Sequence, residues 1–64
     1  MKYELEARKA VEHKLQPISP EATCDHWKAL GVTRQTAHRW RSSPDLVPVA
    51  ARFAAAWLIV RGGE

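Results

Sequence analysis

The sequence predicts an all-α fold, a compact four-helix domain, and three observations carry that expectation. Apolar residues recur at helical spacing along most of the chain. Proline, serine and glycine punctuate it between Pro17 and Pro20, at Gly31, and between Ser43 and Pro48. No stretch alternates polar and apolar residues for the length of a strand. Sixty-four residues suffice for one domain, residues 1–64. A chain this short buries only about 60% of the surface its unfolded form exposes, so a partner copy is a natural source of further burial.

The first helix is expected over about Tyr3 to Leu15. Tyr3, Ala7, Ala10, Val11 and Leu15 fall on one side of it, with Glu4–Arg8 and Arg8–Glu12 spaced four apart on the surface. Pro17 stops it. Ser19-Pro20-Glu21 then offers an N-cap, a proline for the first helical position and an acid at the positive helix end. A second helix is expected from about Pro20 to Leu30. Gly31 ends it, because glycine tolerates the left-handed backbone that closes a helix. Thr33 caps a third helix reaching about Arg41 or Ser42. After the loop "SSPDLVP", a fourth helix runs from about Pro48 to Arg61 and stops at Gly62-Gly63.

The net charge of +3 is modest, but it is unevenly placed. The N-terminal segment mixes Lys2, Arg8, Lys9 and Lys14 with Glu4, Glu6 and Glu12. Between Gly31 and Ser43 stand Arg34, Arg39, Arg41 and His38, with no acid. A patch of one sign suggests an anionic partner meeting one face. On a helix starting at Arg34, Ala37 and Trp40 point the same way, while Gln35, His38 and Arg39 point away from them and Arg34 and Arg41 flank. Two helices joined by a short glycine-containing turn describe a helix-turn-helix. The second helix of such a pair shows one face to the core and the other to a DNA major groove. Arg34, Gln35, His38 and Arg39 are therefore expected near base edges, since arginine can grip guanine and glutamine adenine through paired hydrogen bonds. Thr33, Arg41, Ser42 and Lys28 are expected at phosphates. The expected partner is double-stranded DNA.

The stretch "WKALGVTRQTAHRW" resembles the helix-turn-helix of prokaryotic and phage repressors of the Cro type. In that pattern a leucine-glycine-aliphatic turn precedes Ser/Thr-x-x-Thr and a helix often closed by tryptophan. The following "RSSPDLVPVAARFAAAWL" is similar to the short loop and last helix of small Cro-like regulators, and the layout is similar to small anti-CRISPR-associated repressors. The motif covers about residues 23–42. The resemblance implies sequence-specific operator binding, usually as a dimer and usually for repression. One position departs from the pattern: Trp27 stands where a small residue is common, and Ala37 where a larger aliphatic is common.

Other chemistries find little support. Cys24 and His26 lie two apart, on diverging sides of a helix, which suits neither the paired ligand spacings of structural zinc nor a Cys-His dyad. No nucleophile elbow, P-loop or dinucleotide fingerprint is present. The expectation is thus no enzyme, no metal, no cofactor and no small-molecule substrate. Trp40 and Trp57 are expected in the core rather than stacking on bases; Trp27 is open between core and a partly exposed edge. The lone cysteine and the charged N-terminus point to a cytoplasmic location in a bacterial cell. The uncharged run "FAAAWLIV" falls far short of the roughly 20 residues that span a bilayer.

The helix expected over about 48–61 is apolar nearly all round. Val49, Phe53, Ala56, Trp57 and Val60 form one stripe, assigned to the core. Ala51, Ala54 and Leu58 form a second, which meets either the first helix or another copy of the chain; the second copy is favoured, making these the expected dimer interface. The leading expectation is a DNA-binding transcriptional repressor acting as a homodimer on an inverted repeat. Its rivals are a phage protein-binding module of antirepressor or anti-restriction type, and an architectural protein that binds DNA without regard to sequence.

Overall fold

A computed structural model describes residues 3–62. Helix α1 spans Glu4–Glu12, α2 Arg34–Ser42 and α3 Val49–Gly62, with 3-10 segments at Ala22–His26 and Pro44–Leu46. The described residues contain no strand, and their regular structure is all helical. Lys2 and Gly63, which figured in the expected charge balance and helix stop, lie outside the described residues. None of the described helices is long and apolar enough to cross a membrane.

Among the described residues there are three α-helices where four were expected. The second is replaced by the five-residue 3-10 segment Ala22–His26 and a chain of turns to Gly31. The expected cap is present, with Ser19 Oγ accepting from the Ala22 N–H at 3.3 Å. The residues beyond the cap cannot sustain an α-helix. Thr23, Cys24, Asp25, His26 and Trp27 are consecutive weak helix formers. Thr23, fully buried, turns its hydroxyl back to the Ser19 carbonyl at 3.0 Å. Bonds three residues long tighten the segment, from Cys24 N–H to Glu21 and from Trp27 N–H to Cys24, at 3.3 and 3.4 Å.

Helix α1 ends earlier than Pro17 would require. Lys14 takes a left-handed backbone, φ 57°. Its N–H donates to the Val11 carbonyl and the Leu15 N–H reaches the Ala10 carbonyl, at 3.0 and 2.9 Å. That pair of bonds is a Schellman closure, normally built on glycine. Here a lysine carries it.

The frame of the molecule is α1 packed along α3. The buried residues of both helices are alanines: Ala7 and Ala10 on α1, and Ala51, Ala54, Ala55 and Ala56 on α3. Small side chains allow close helix approach, and this overturns the expected division of α3. Ala51 and Ala54 are fully buried within one chain, and Leu58 packs partly buried on the same core. Ala51 and Ala54 have no surface left to offer another copy, because α1 and the core already cover them, whereas Leu58 keeps part of its surface. Val49 and Val60, expected inside, are instead 54% and 46% exposed. Val11, also expected inside, is exposed.

Two tryptophans fill the rest of the core. Trp27 and Trp40 are both nearly buried and meet edge to face, with ring centroids 5.5 Å apart and planes at 73°. Leu30 and Val47 belong to the same cluster. Deleting a ring of this kind costs roughly 3–5 kcal/mol, comparable to the whole stability of so small a domain. Trp57 is only half-buried, and one face of it stacks on His13 at 4.7 Å. Arg52 ties the connector to α3: its Nε donates to the Ile18 carbonyl at 2.6 Å, across 34 residues of sequence. Tyr3 is 4% exposed, and burial, with the Glu4 carboxylate as the second cause, raises its phenol above the ordinary 10.0.

Candidate nucleic-acid interface

Three backbone devices in a row set the position of α2. First, Gly31 has φ 81°. Around it the Gly31 N–H donates to the Lys28 carbonyl and the Val32 N–H to the Trp27 carbonyl, at 3.2 and 3.1 Å. This is a second Schellman closure, with Val32 and Trp27 as its usual apolar pair. Second, Thr33 adopts an extended conformation, φ −69° and ψ 157°, which breaks the chain direction. Third, Thr33 Oγ1 accepts from the Thr36 N–H at 3.3 Å and donates to Thr36 Oγ1 at 2.9 Å. The cap expected at Thr33 is present, and α2 runs to Ser42 as its apolar spacing requires.

One face of α2 is held down and the other is free. Trp40 is its only buried residue, with Thr36 and Ala37 half-buried beside it. Arg34, Gln35, His38, Arg39, Arg41 and Ser42 are all exposed. Arg34, Gln35, Ala37, His38, Arg39 and Arg41 line an open concavity of about 710 Å³. A second, of about 490 Å³, is lined by Cys24, Trp27, Lys28, Val32, Arg34, Ala37 and Arg41. The two share Arg34, Ala37 and Arg41, so the surface is continuous across the helix.

Lys28, placed before the turn, is thus brought beside Arg34 and Arg41. Thr33 and Ser42 are exposed but line neither concavity. The Thr33 hydroxyl is engaged by Thr36, so an anion at this end would meet the backbone N–H groups of the first turn. The sequence did not suggest Cys24, Trp27 and Val32 as the wall of the second concavity. The apolar pairing across a glycine closure was the available sign for the last two.

Both concavities are lined by cations without a carboxylate. On α1, Lys9 and Glu12 form an ion pair at 3.8 Å, whereas the arginines of α2 line concavities that hold no carboxylate. Such a surface attracts an anion and gives it several donors at once. The described residues hold no group of three or more His, Cys, Asp or Glu that could bind a metal ion. Comparison of the chain with family models, with curated proteins and with solved structures gives no match.

Proposed function

We propose that the protein binds double-stranded DNA sequence-specifically through α2, as a small helix-turn-helix-type transcriptional repressor. The observation that carries this reading is the two-sided character of α2: Trp40 fixes one face, and Arg34, Gln35, His38, Arg39 and Arg41 stand exposed and acid-free on the other. An exposed helix of this kind fits the roughly 12 Å width of a major groove. Arg34, Gln35, His38 and Arg39 face the base edges. Lys28 and Arg41 hold one phosphate strand, with Thr33 and Ser42 at the two ends of the helix. The short 3-10 segment before Gly31 takes the place of the first motif helix.

Two copies about a two-fold axis would set their reading helices to half-sites roughly 34 Å apart. The molecule, 30 Å along its longest axis, is of a size to make that step. Occupying such a site excludes polymerase from an overlapping promoter.

Selection of bound duplexes from a random pool tests the reading. Enrichment of an inverted repeat supports it. Equal retention of all sequences would favour architectural packaging. No retention at low salt rules out DNA as the partner.

A further inference from the structure

The reassignment of α3 leaves a feature that the fold uses only in part: Phe53 packs against the core and Trp57 stacks on His13, each with surface to spare. Val49, Phe53, Trp57 and Val60 lie within an arc of about 80° on one side of the helix, at 100° per residue. Both valines are about half exposed and both aromatic residues half-buried. Isolated apolar residues on a surface need no explanation. A continuous stripe along most of a 14-residue helix does.

We propose that this stripe pairs with the same stripe of a second copy, α3 against α3, antiparallel about a two-fold axis. Three features favour a copy of this chain over a different protein. The stripe is self-complementary: reversing one helix sets Val49 opposite Val60 of the second copy and Phe53 opposite its Trp57, valines at the ends and aromatics in the middle. An interface built on a two-fold axis needs such a palindromic pattern.

The charges agree with the same arrangement. Between Val49 and Val60 the only charged residue of α3 is Arg52, and its guanidinium is turned away to the Ile18 carbonyl. Two chains of net charge +3 therefore meet through an uncharged strip. Arg61 and the exposed Asp45 stand at opposite ends of α3. The antiparallel arrangement brings each Arg61 toward Asp45 of the second copy, whereas a parallel one would set Arg61 against Arg61 and align the helix dipoles. At the Arg61 end lies a groove of about 200 Å³ between α1 and α3, lined by Leu5, Glu6, Lys9, Trp57 and Arg61. The turn carrying Asp45 and the exposed Leu46 of the second copy arrives at this end.

The third feature is pre-organisation. Trp57 is already held on one face by His13, so little side-chain freedom is lost when its other face is covered. The area is modest. A helix of this length is about 21 Å long and 10–12 Å wide, so one face covers on the order of 200–250 Å² per copy, under a third of a standard interface. The dimer is accordingly weak and dependent on concentration.

The inference rests on the two-copy part of the proposed function and not on its DNA part. Sedimentation equilibrium without DNA tests it, on the full chain from low to high micromolar concentration. Circular dichroism in parallel confirms that each variant is folded. Wild type should pass from monomer to dimer mass. Val60→Asp and Val49→Asp should stay monomeric, and Val49→Asp should remain fully helical because an acid suits a helix N-terminus. Ile59→Asp, which changes an exposed residue outside the stripe, should dimerise like wild type. A wild-type chain that is monomeric throughout overturns the proposal, as does a folded Val49→Asp or Val60→Asp that still dimerises. Equal loss in all three variants overturns it too. Because no DNA is present, failure here leaves α2 as the candidate reader, and failure of DNA binding leaves the pairing intact.

Discussion

The two Schellman closures make a paired experiment on the same backbone device. Lys14 and Gly31 occupy equivalent positions, with φ 57° and 81°. A side chain in left-handed backbone is disfavoured by roughly 1–2 kcal/mol, offset in part by the extra unfolded-state freedom that glycine brings, about 0.4–1 kcal/mol. Lys14→Gly should therefore stabilise the fold by about 0.5–1 kcal/mol. Gly31→Ala should destabilise it by about 1 kcal/mol or more. Its φ lies further from the left-handed optimum near 57° that residues with a Cβ prefer. A domain this size shifts its midpoint by roughly 4–8 °C per kcal/mol, so thermal unfolding by circular dichroism should separate the two variants by about 10 °C. Gly31→Ala should also weaken DNA binding, since the turn at Gly31 sets where Thr33 starts α2. Lys14→Gly should leave binding unchanged. Equal melting temperatures, or a reversed order, would refute the backbone argument at both turns.

Other outcomes are expected at the site and in the core. Arg34→Ala and Gln35→Ala should each lower discrimination between the selected sequence and a mutated one by about 1–3 kcal/mol, read by mobility shift at matched salt; wild-type discrimination in both would remove them from the base-reading set. Arg41→Ala should weaken all duplexes alike and reduce the slope of log K against log salt by about one, and an unchanged slope would place Arg41 off the phosphates. Thr33→Ala removes the α2 cap and should cost about 0.5–2 kcal/mol, measured by denaturant unfolding. The raised phenol of Tyr3 means that the folded state favours the protonated form. Its contribution is complete below pH 10 and is lost as pH rises from 10.0 through the higher folded value. Tyr3→Phe should flatten that alkaline loss in a series of melts; an identical slope in wild type and variant would show that lysines alone cause it.

Local signals were legible and long-range ones were not. Thr33, Gly31 and the Ala37/Trp40 spacing act within one or two turns, and α2 lies where they put it. The same kind of signal misled at Ser19-Pro20: the cap forms, but five weak helix formers in succession outweigh it. Helix α3 failed for a different reason. A helix apolar on all sides has no periodic contrast, so its faces could be told apart only by what packs on them. Bulky residues were assigned to the core, yet α1 comes close over alanines and leaves the valines outside. The Arg52–Ile18 bond joins residues 34 apart, and nothing near either residue announces it. The closure at Lys14 escaped because the expected residue there is glycine.

The asymmetry in how the helices are held has a dynamic consequence. Helices α1 and α3 pack along each other, whereas α2 is attached mainly through one ring, Trp40, lodged against Trp27. Residues with few buried neighbours open at lower free energy than the global transition. Backbone amides of α2 should then exchange with solvent hydrogen through a partial opening, faster than those of α3, and should slow when duplex DNA covers the outer face. The surface proposed to read sequence is borne on the segment that detaches first, so its order and its occupancy become one linked equilibrium.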